Sequence, residues 1–346
     1  MGARLTEREN FLRLAKGECP EWVPMYSWGV PGIQTPYAPP NAFIAPGFLN
    51  ARRTMEGGYD IWGVPYVSNR ETGYGALPEP NHFILDDIRK WRDVVKAPDL
   101  SGIDWEAMAK KDLENLAKMG IDRNETALMM SLHVGYFQEL MALMGFTEGL
   151  CAMYEEPEEV YALLEYMCDF YCEVGEKIID YYQPDIFNVT DDTATWKSSF
   201  ISLDMYRRLI KPFHARQAEI GTRRGIPIEM HDCGKCDDFI DDWRDFGVVL
   251  WNPAQSCNDL KAVKEKYGNS LAILGGWDAV GQLGLPDVDE EFFKESIREV
   301  IDQLAPGGGF AWCSNIFGDP EDASVVRRNQ WIYDVVNTYG REFYQK

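Results

Sequence analysis

Short apolar runs, each followed by turn residues and then by a helical pattern, recur along most of this chain. The runs fall at 22–28, 126–133, 185–190, 226–231, 247–251, 271–275 and 309–313, with a weaker one at 60–67. Helical periodicity occupies 158–182, 203–223, 237–246, 259–267, 289–304 and 320–339. Runs of four to eight apolar residues without polar alternation suit strands buried on both faces. Their alternation with helices predicts a parallel sheet with crossover helices. Eight candidate strands predict a (β/α)8 barrel, and 346 residues fit one such domain with insertions, spanning 1–346. The stretches 29–58 and 68–90 are rich in Pro, Gly and Asn and lack a period, so an irregular N-terminal extension and long loops are expected there. The start reads as a helix with Thr6 and Glu9 as a capping box.

Charge narrows the partners. The net charge is −22, and a nucleic-acid surface needs clustered Lys and Arg, so neither nucleic acid nor an anionic membrane is expected as a partner. No apolar run approaches the length of a membrane span. With no secretory leader read at the N-terminus, the eight cysteines are expected to be reduced, in a cytoplasmic protein.

In a (β/α)8 barrel the reactive groups gather at the carboxyl ends of the strands. Those ends carry His133, the pair Asp191 and Asp192, then His231 and Cys233, then Trp251, Asn252 and Gln255, then Trp277 and Asp278, and finally Cys313. Residues two apart on a strand share a face, so His231 and Cys233 point together. One imidazole and two thiolates from His231, Cys233 and Cys313 suit zinc and leave a fourth position open for chemistry. The bland alternative is a satisfied histidine with two buried free thiols. Asp191, Asp192 and His133 are the candidate catalytic groups for holding or moving a proton, with a loop cap as the alternative for the two acids. Trp28, Trp196, Trp251 and Trp277, with Gln255 and Asp278, are the candidate substrate-binding residues of an aromatic-lined pocket.

At these residues the chain resembles the uroporphyrinogen-decarboxylase-like superfamily. The resemblance runs from Arg8-Glu-Asn-Phe11, Gly17-Glu-Cys-Pro20 and Trp22-Val-Pro24 through Asp191-Asp192 and the 201–212 stretch. It continues in His231-Asp-Cys-Gly234, Gly275-Gly276 and Gly307-Gly-Gly309. It implies a (β/α)8 barrel. The decarboxylases of the superfamily carry an arginine-rich N-terminal segment, whereas residues 27–36 here contain no arginine. The corrinoid-dependent methyltransferases, including the methyltransferase components of O-demethylases, carry a zinc site of the form His-x-Cys with a distant Cys, which His231, Cys233 and Cys313 match. Some members add a carboxylate from the sixth strand end, where this chain has Gln255. The resemblance therefore implies a zinc-dependent methyltransferase that passes a methyl group from a small donor, foremost a methoxylated aromatic, to the Co(I) corrinoid of a partner protein. Methylation of a thiol by the same chemistry and a metal-free lyase are the alternatives.

Overall fold

The computed structural model describes residues 5–26, 32–50, 53–54, 56–69, 75–132 and 135–345. Its centre is a curled parallel sheet of seven strands: β1 (Asn41–Ile44), β6 (Ala127–Ser131), β7 (Ile186–Thr190), β8 (Ile228–His231), β9 (Val248–Ala254), β10 (Ala272–Gly275) and β11 (Phe310–Ala311), hydrogen-bonded in that order. A lone parallel bridge joins Met25 to Trp312 beyond β11, and the Tyr26 ring packs edge-on against Phe43 of β1, 5.7 Å between centroids. A second, antiparallel sheet holds β2 (Arg53–Thr54), β3 (Gly57–Tyr59), β4 (Pro65–Val67) and β5 (Leu77–Pro78).

Six of the predicted runs are thus strands of the parallel sheet, and two assignments are corrected. The run at 22–28 contributes a single bridge within the described residues. The run at 60–67 belongs to the antiparallel sheet, because Asp60 starts a turn: its Oδ1 accepts from the backbone N–H groups of Trp62 and Val64 at 2.9 and 2.8 Å. The strand of the parallel sheet missing from the prediction is β1. It is only four residues long and follows Pro39-Pro40 inside a segment read as irregular, too short for a periodic signal.

Strand alternation sorts the sheet's side chains into two sets. Ala127, Met129, Ile186, Leu250, Ala272, Leu274, Ala311 and Cys313 pack together on the concave side, where helix Glu7–Ala15 adds Phe11 and Leu14. Thr6 and Glu9 form the predicted capping box on that helix. The neighbours in sequence, Met130, Phe187, Val189, Met230, Trp251, Ile273 and Trp312, point outward into the larger core under the helices. Both faces are therefore dry, which explains the unbroken apolar runs. The predicted helix at 203–223 is two helices, Leu203–Leu209 and Lys211–Thr222, meeting at Ile210, two residues before Pro212, whose ring and missing N–H interrupt the helical ladder. No helix among the described residues is long and apolar enough to cross a membrane.

Candidate metal and substrate site

Above the apolar layer the concave face turns polar at the carboxyl ends of the strands. Register places Thr190 beside His231 and His231 beside Asn252. Asn188 and Glu229 lie one inward-facing step below. Glu229, fully buried, accepts from the Tyr26 hydroxyl at 2.7 Å and from Asn188 Nδ2 at 3.1 Å, and Asn252 Nδ2 also donates to it. Burial pushes the Glu229 carboxyl up to about 8. With its amide nitrogen engaged by Glu229 and by Tyr26, Asn252 turns Oδ1 to His231, where it stands 2.8 Å from Nδ1. That contact puts the ring proton on Nδ1 and aims the Nε2 lone pair outward, the tautomer a metal ligand needs.

His231 Nε2 lies 3.7 Å from Cys233 Sγ and 3.9 Å from Asp192 Oδ1. The ligand atoms of Asp192, His231 and Cys233 all fall within 4.8 Å of one another. Tetrahedral bonds of zinc length place neighbouring nitrogen, sulfur and oxygen ligands about 3.5 Å apart, so the three atoms stand close to the spacing a zinc ion requires. Their chemistry agrees. Burial, together with the Asp192 charge, holds the Cys233 thiol far above its ordinary range. A divalent cation placed among the three would reverse that preference and take the thiolate. Asp232, buried behind them, is also pushed well up, by burial and by the charges of Asp191 and Asp192. Asp192, Asp232 and the Cys233 thiol together form a field that a cation relieves.

The loop bearing Cys233 is held rigidly. Gly234 N–H donates to Gln255 Oε1 at 2.7 Å, Cys233 N–H to Asp192 Oδ1 at 3.0 Å, and Asn258 donates to the Gly234 carbonyl at 2.9 Å. Gln255, the residue expected where relatives supply a carboxylate, also donates to Asp278 Oδ1 at 3.1 Å. Its carboxamide braces two loops, and the carboxylate in reach of His231 and Cys233 comes from Asp192 instead. Cys313 lines the same cavity as His231 and Cys233 but stands outside the group of three.

That cavity has a volume of about 700 Å³, and its wall includes Trp196, Gln255, Trp277, Asp278, Phe317 and Arg328. Trp277 is fixed by a hydrogen bond from its indole N–H to Ser296 (2.9 Å) and by packing on Trp312 and Phe293. Trp251 is a correction: it is fully buried against Trp243, 5.8 Å between centroids, and does not line the cavity. Asn252 faces inward, so the residue before it must face the helices. Trp28 and His133 lie outside the described residues.

Asp191 and Asp192 divide as adjacent residues on an extended chain must. Asp191 points away from the cavity, fully buried, and accepts from the N–H groups of Phe137 and Gln138 at 3.0 and 3.1 Å, the first turn of helix Tyr136–Met144. It also meets His214 Nε2 at 3.0 Å, and His214 Nδ1 lies 3.1 Å from the Tyr206 hydroxyl. This is a helix cap with a buried supporting chain, the alternative expected for the two acids, and Asp191 does not line the cavity. His214 had no local motif to mark it, since its partners are 23 and 8 residues away in sequence. Glu229 was legible in principle: it sits two residues before His231 on the same strand face.

A solved methyltransferase from Methanosarcina mazei shares the fold, with a TM-score of 0.64 over 97% of this chain and 99% of that one, at 13% identity. No curated protein matches at a significant level. The model of the family described as uroporphyrinogen decarboxylase (URO-D) matches residues 107–311, more than half of the chain and the whole span from β6 to β11 that carries Asp192, His231 and Cys233. The protein belongs to the uroporphyrinogen decarboxylase (URO-D) family.

Proposed function

We propose that this protein is a zinc-dependent methyltransferase that moves a methyl group from a small methyl ether, foremost a methoxylated aromatic, to the Co(I) corrinoid of a partner protein. The observation that carries the reading is the Asp192, His231 and Cys233 donor set, spaced for one zinc ion and opening onto a cavity large enough for a small ligand. The likeness in fold to a methyltransferase supports it. We further take the curled sheet to be a closed (β/α)8 barrel, with the Met25 segment as its eighth stave.

His231 and Cys233 would hold the zinc, with Asp192 or Cys313 completing the set. Zinc supplies Lewis acidity toward the leaving oxygen of the donor. The chain's own residues do the rest. Asn252 and Glu229 keep His231 in its ligating tautomer. Gln255 and Asp278 brace the Cys233 loop, and Trp196 and Trp277 give the cavity apolar walls. With Cys313 completing the zinc set, Asp192, partly exposed beside His231 and Cys233, would be the group left to orient the donor or to carry a proton. The open cavity would admit the corrinoid of a partner, which would supply the nucleophile that accepts the methyl group while the bonding pair stays on the donor's oxygen.

The test has two readings. Protein purified without chelator should carry about one zinc per chain, and His231→Ala should carry almost none. With Co(I) corrinoid and methoxybenzenes the parent protein should give a methyl-cobalt spectrum, and His231→Ala should slow its appearance at least about a hundredfold, the scale set by losing several kcal/mol of Lewis-acid stabilisation. A folded protein with no bound metal would move the assignment to a metal-free lyase of the same family.

A further inference from the structure

Arg328, on the C-terminal helix Ala323–Val335, lines the same cavity as His231, Cys233 and Cys313. It is only 4% exposed, and neutral groups hold its guanidinium. Nε donates to the Ser324 carbonyl at 3.1 Å, Nη1 to the carbonyls of Gly284 and Leu285 at 3.0 and 3.4 Å, and Nη2 to the Ser324 hydroxyl at 3.2 Å. A guanidinium has five N–H donors, so one on Nη2 is left over. Gly284 is itself part of the cavity wall. Among the described residues no carboxylate stands within ion-pair distance of Arg328, although the chain has a net charge of −22 and acids to supply one. Asp322 and Arg327 act on it with opposite signs. Asp322 is exposed and already caps the helix, accepting from Ser324 N–H at 2.7 Å. Asp278, in the cavity wall, accepts from Gln255 Nε2 at 3.1 Å and from Ser256 N–H at 2.7 Å. Burial disfavours the charged form of Arg328, yet a guanidinium does not give up its proton in a protein. A buried cation without a counter-ion therefore borders the cavity.

We propose that Arg328 anchors a carboxylate of the methyl donor, so that the cavity takes methoxylated aromatic acids in preference to neutral methyl ethers. This deepens the methyl-transfer reading and rests on it for the ligand's role as donor. Arg328 belongs to the segment after β11, whereas His231 and Cys233 stand at the end of β8, three strands away round the sheet. Trp277, Ile316 and Phe317 give the same cavity aromatic and apolar wall. A ring lying against that wall would carry its acid group at one end, on Arg328, and its methoxy group at the other, on the donor set. The volume of about 700 Å³ is ample for such a ligand. A guanidinium binds a carboxylate through charge-assisted hydrogen bonds, roughly twice as strong as those to neutral acceptors. The ligand would supply the counter-charge that the chain leaves out, and a neutral ether cannot.

The experiment is titration calorimetry on the full chain, without corrinoid, of the methoxybenzoate isomers, each against its own amide, which keeps the shape and lacks the charge. At least one acid should bind about tenfold or more tightly than its amide. Arg328→Gln should reduce that ratio to about twofold or less while the amide keeps its affinity within about twofold. A purely structural role for Arg328 would weaken acid and amide alike. Arg328→Lys keeps the charge and loses the fork, so it should leave a ratio of about threefold, and it carries the test if the glutamine variant does not fold. Removing zinc with a chelator separates the rival site, because a carboxylate bound to the metal loses its preference with the ion and one bound to Arg328 keeps it. Equal affinities for acid and amide in the parent, a ratio unmoved in either variant, or a preference that disappears with zinc would each overturn the proposal. A preference that follows Arg328, with no methyl-cobalt product from the same acids, would leave the anchor standing and count against the methyl-transfer reading instead.

Discussion

At the scale of single residues, position on an alternating strand decides role more than residue type does. Asp191 and Asp192 are chemically the same, yet one caps a helix in the dry core and the other stands at the donor set. The difference is testable. Asp191→Ala removes the acceptor from three backbone N–H groups, those of Phe137, Gln138 and Asp192, and from His214, leaving buried donors unsatisfied. The cost should be about 3 kcal/mol, the sum of a lost cap and one buried unpaired group, read as a lower denaturation midpoint with zinc content unchanged in the folded protein. A loss of zinc without loss of stability would instead place Asp191 at the metal. His231, Cys233 and Asp192 were all readable from the sequence as candidates. The grouping of Asp192 with the other two was not, because it joins two strand ends about forty residues apart.

Among elements, the loop after β8 is the part whose backbone matters most. Gly234 has φ +89°, and a Cβ there would meet the carbonyl oxygens of Ala194 and Thr195 at 2.7 Å. Only glycine lets the Cys233 loop lie this close to the chain that follows β7, and this closeness puts Cys233 N–H on Asp192. Gly234→Ala must push the two loops apart. It should cost about 2–4 kcal/mol through strain and a backbone clash and should also weaken zinc retention against a competing chelator. An unchanged melting temperature together with unchanged zinc affinity would show that the loops can part without consequence. Most strands and helices of the parallel sheet were legible because unbroken apolar runs and helical periodicity are local signals. The four-residue β1 was not, and neither was the assignment of 60–67 to a separate sheet, where a single carboxylate accepting two turn N–H groups outweighs the apolar character of its neighbours.

For the whole molecule, the question is whether a metal ion holds the fold or only serves the site. The core runs beneath the helices from the antiparallel sheet to the C-terminal helix Ala323–Val335, and the donor set lies at its rim. Treatment with a strong chelator should therefore leave a folded chain with unchanged far-ultraviolet circular dichroism and a cooperative melt, shifted down only by the linkage energy of the bound ion. Collapse of the spectrum on chelation would mean that zinc is structural. The same layout explains the cavity, which opens above the carboxyl ends of the parallel sheet.

By itself the sequence determined the repeating strand-and-helix plan, the paired His231 and Cys233, and the strongly acidic net charge, because each depends on local pattern or on composition. Tertiary structure alone decided that Asp192 and not Asp191 reaches them, that Trp251 is core, and that Gln255 braces a loop. Those outcomes follow from which way a side chain turns once distant segments pack, and long-range packing leaves no period in the chain to read.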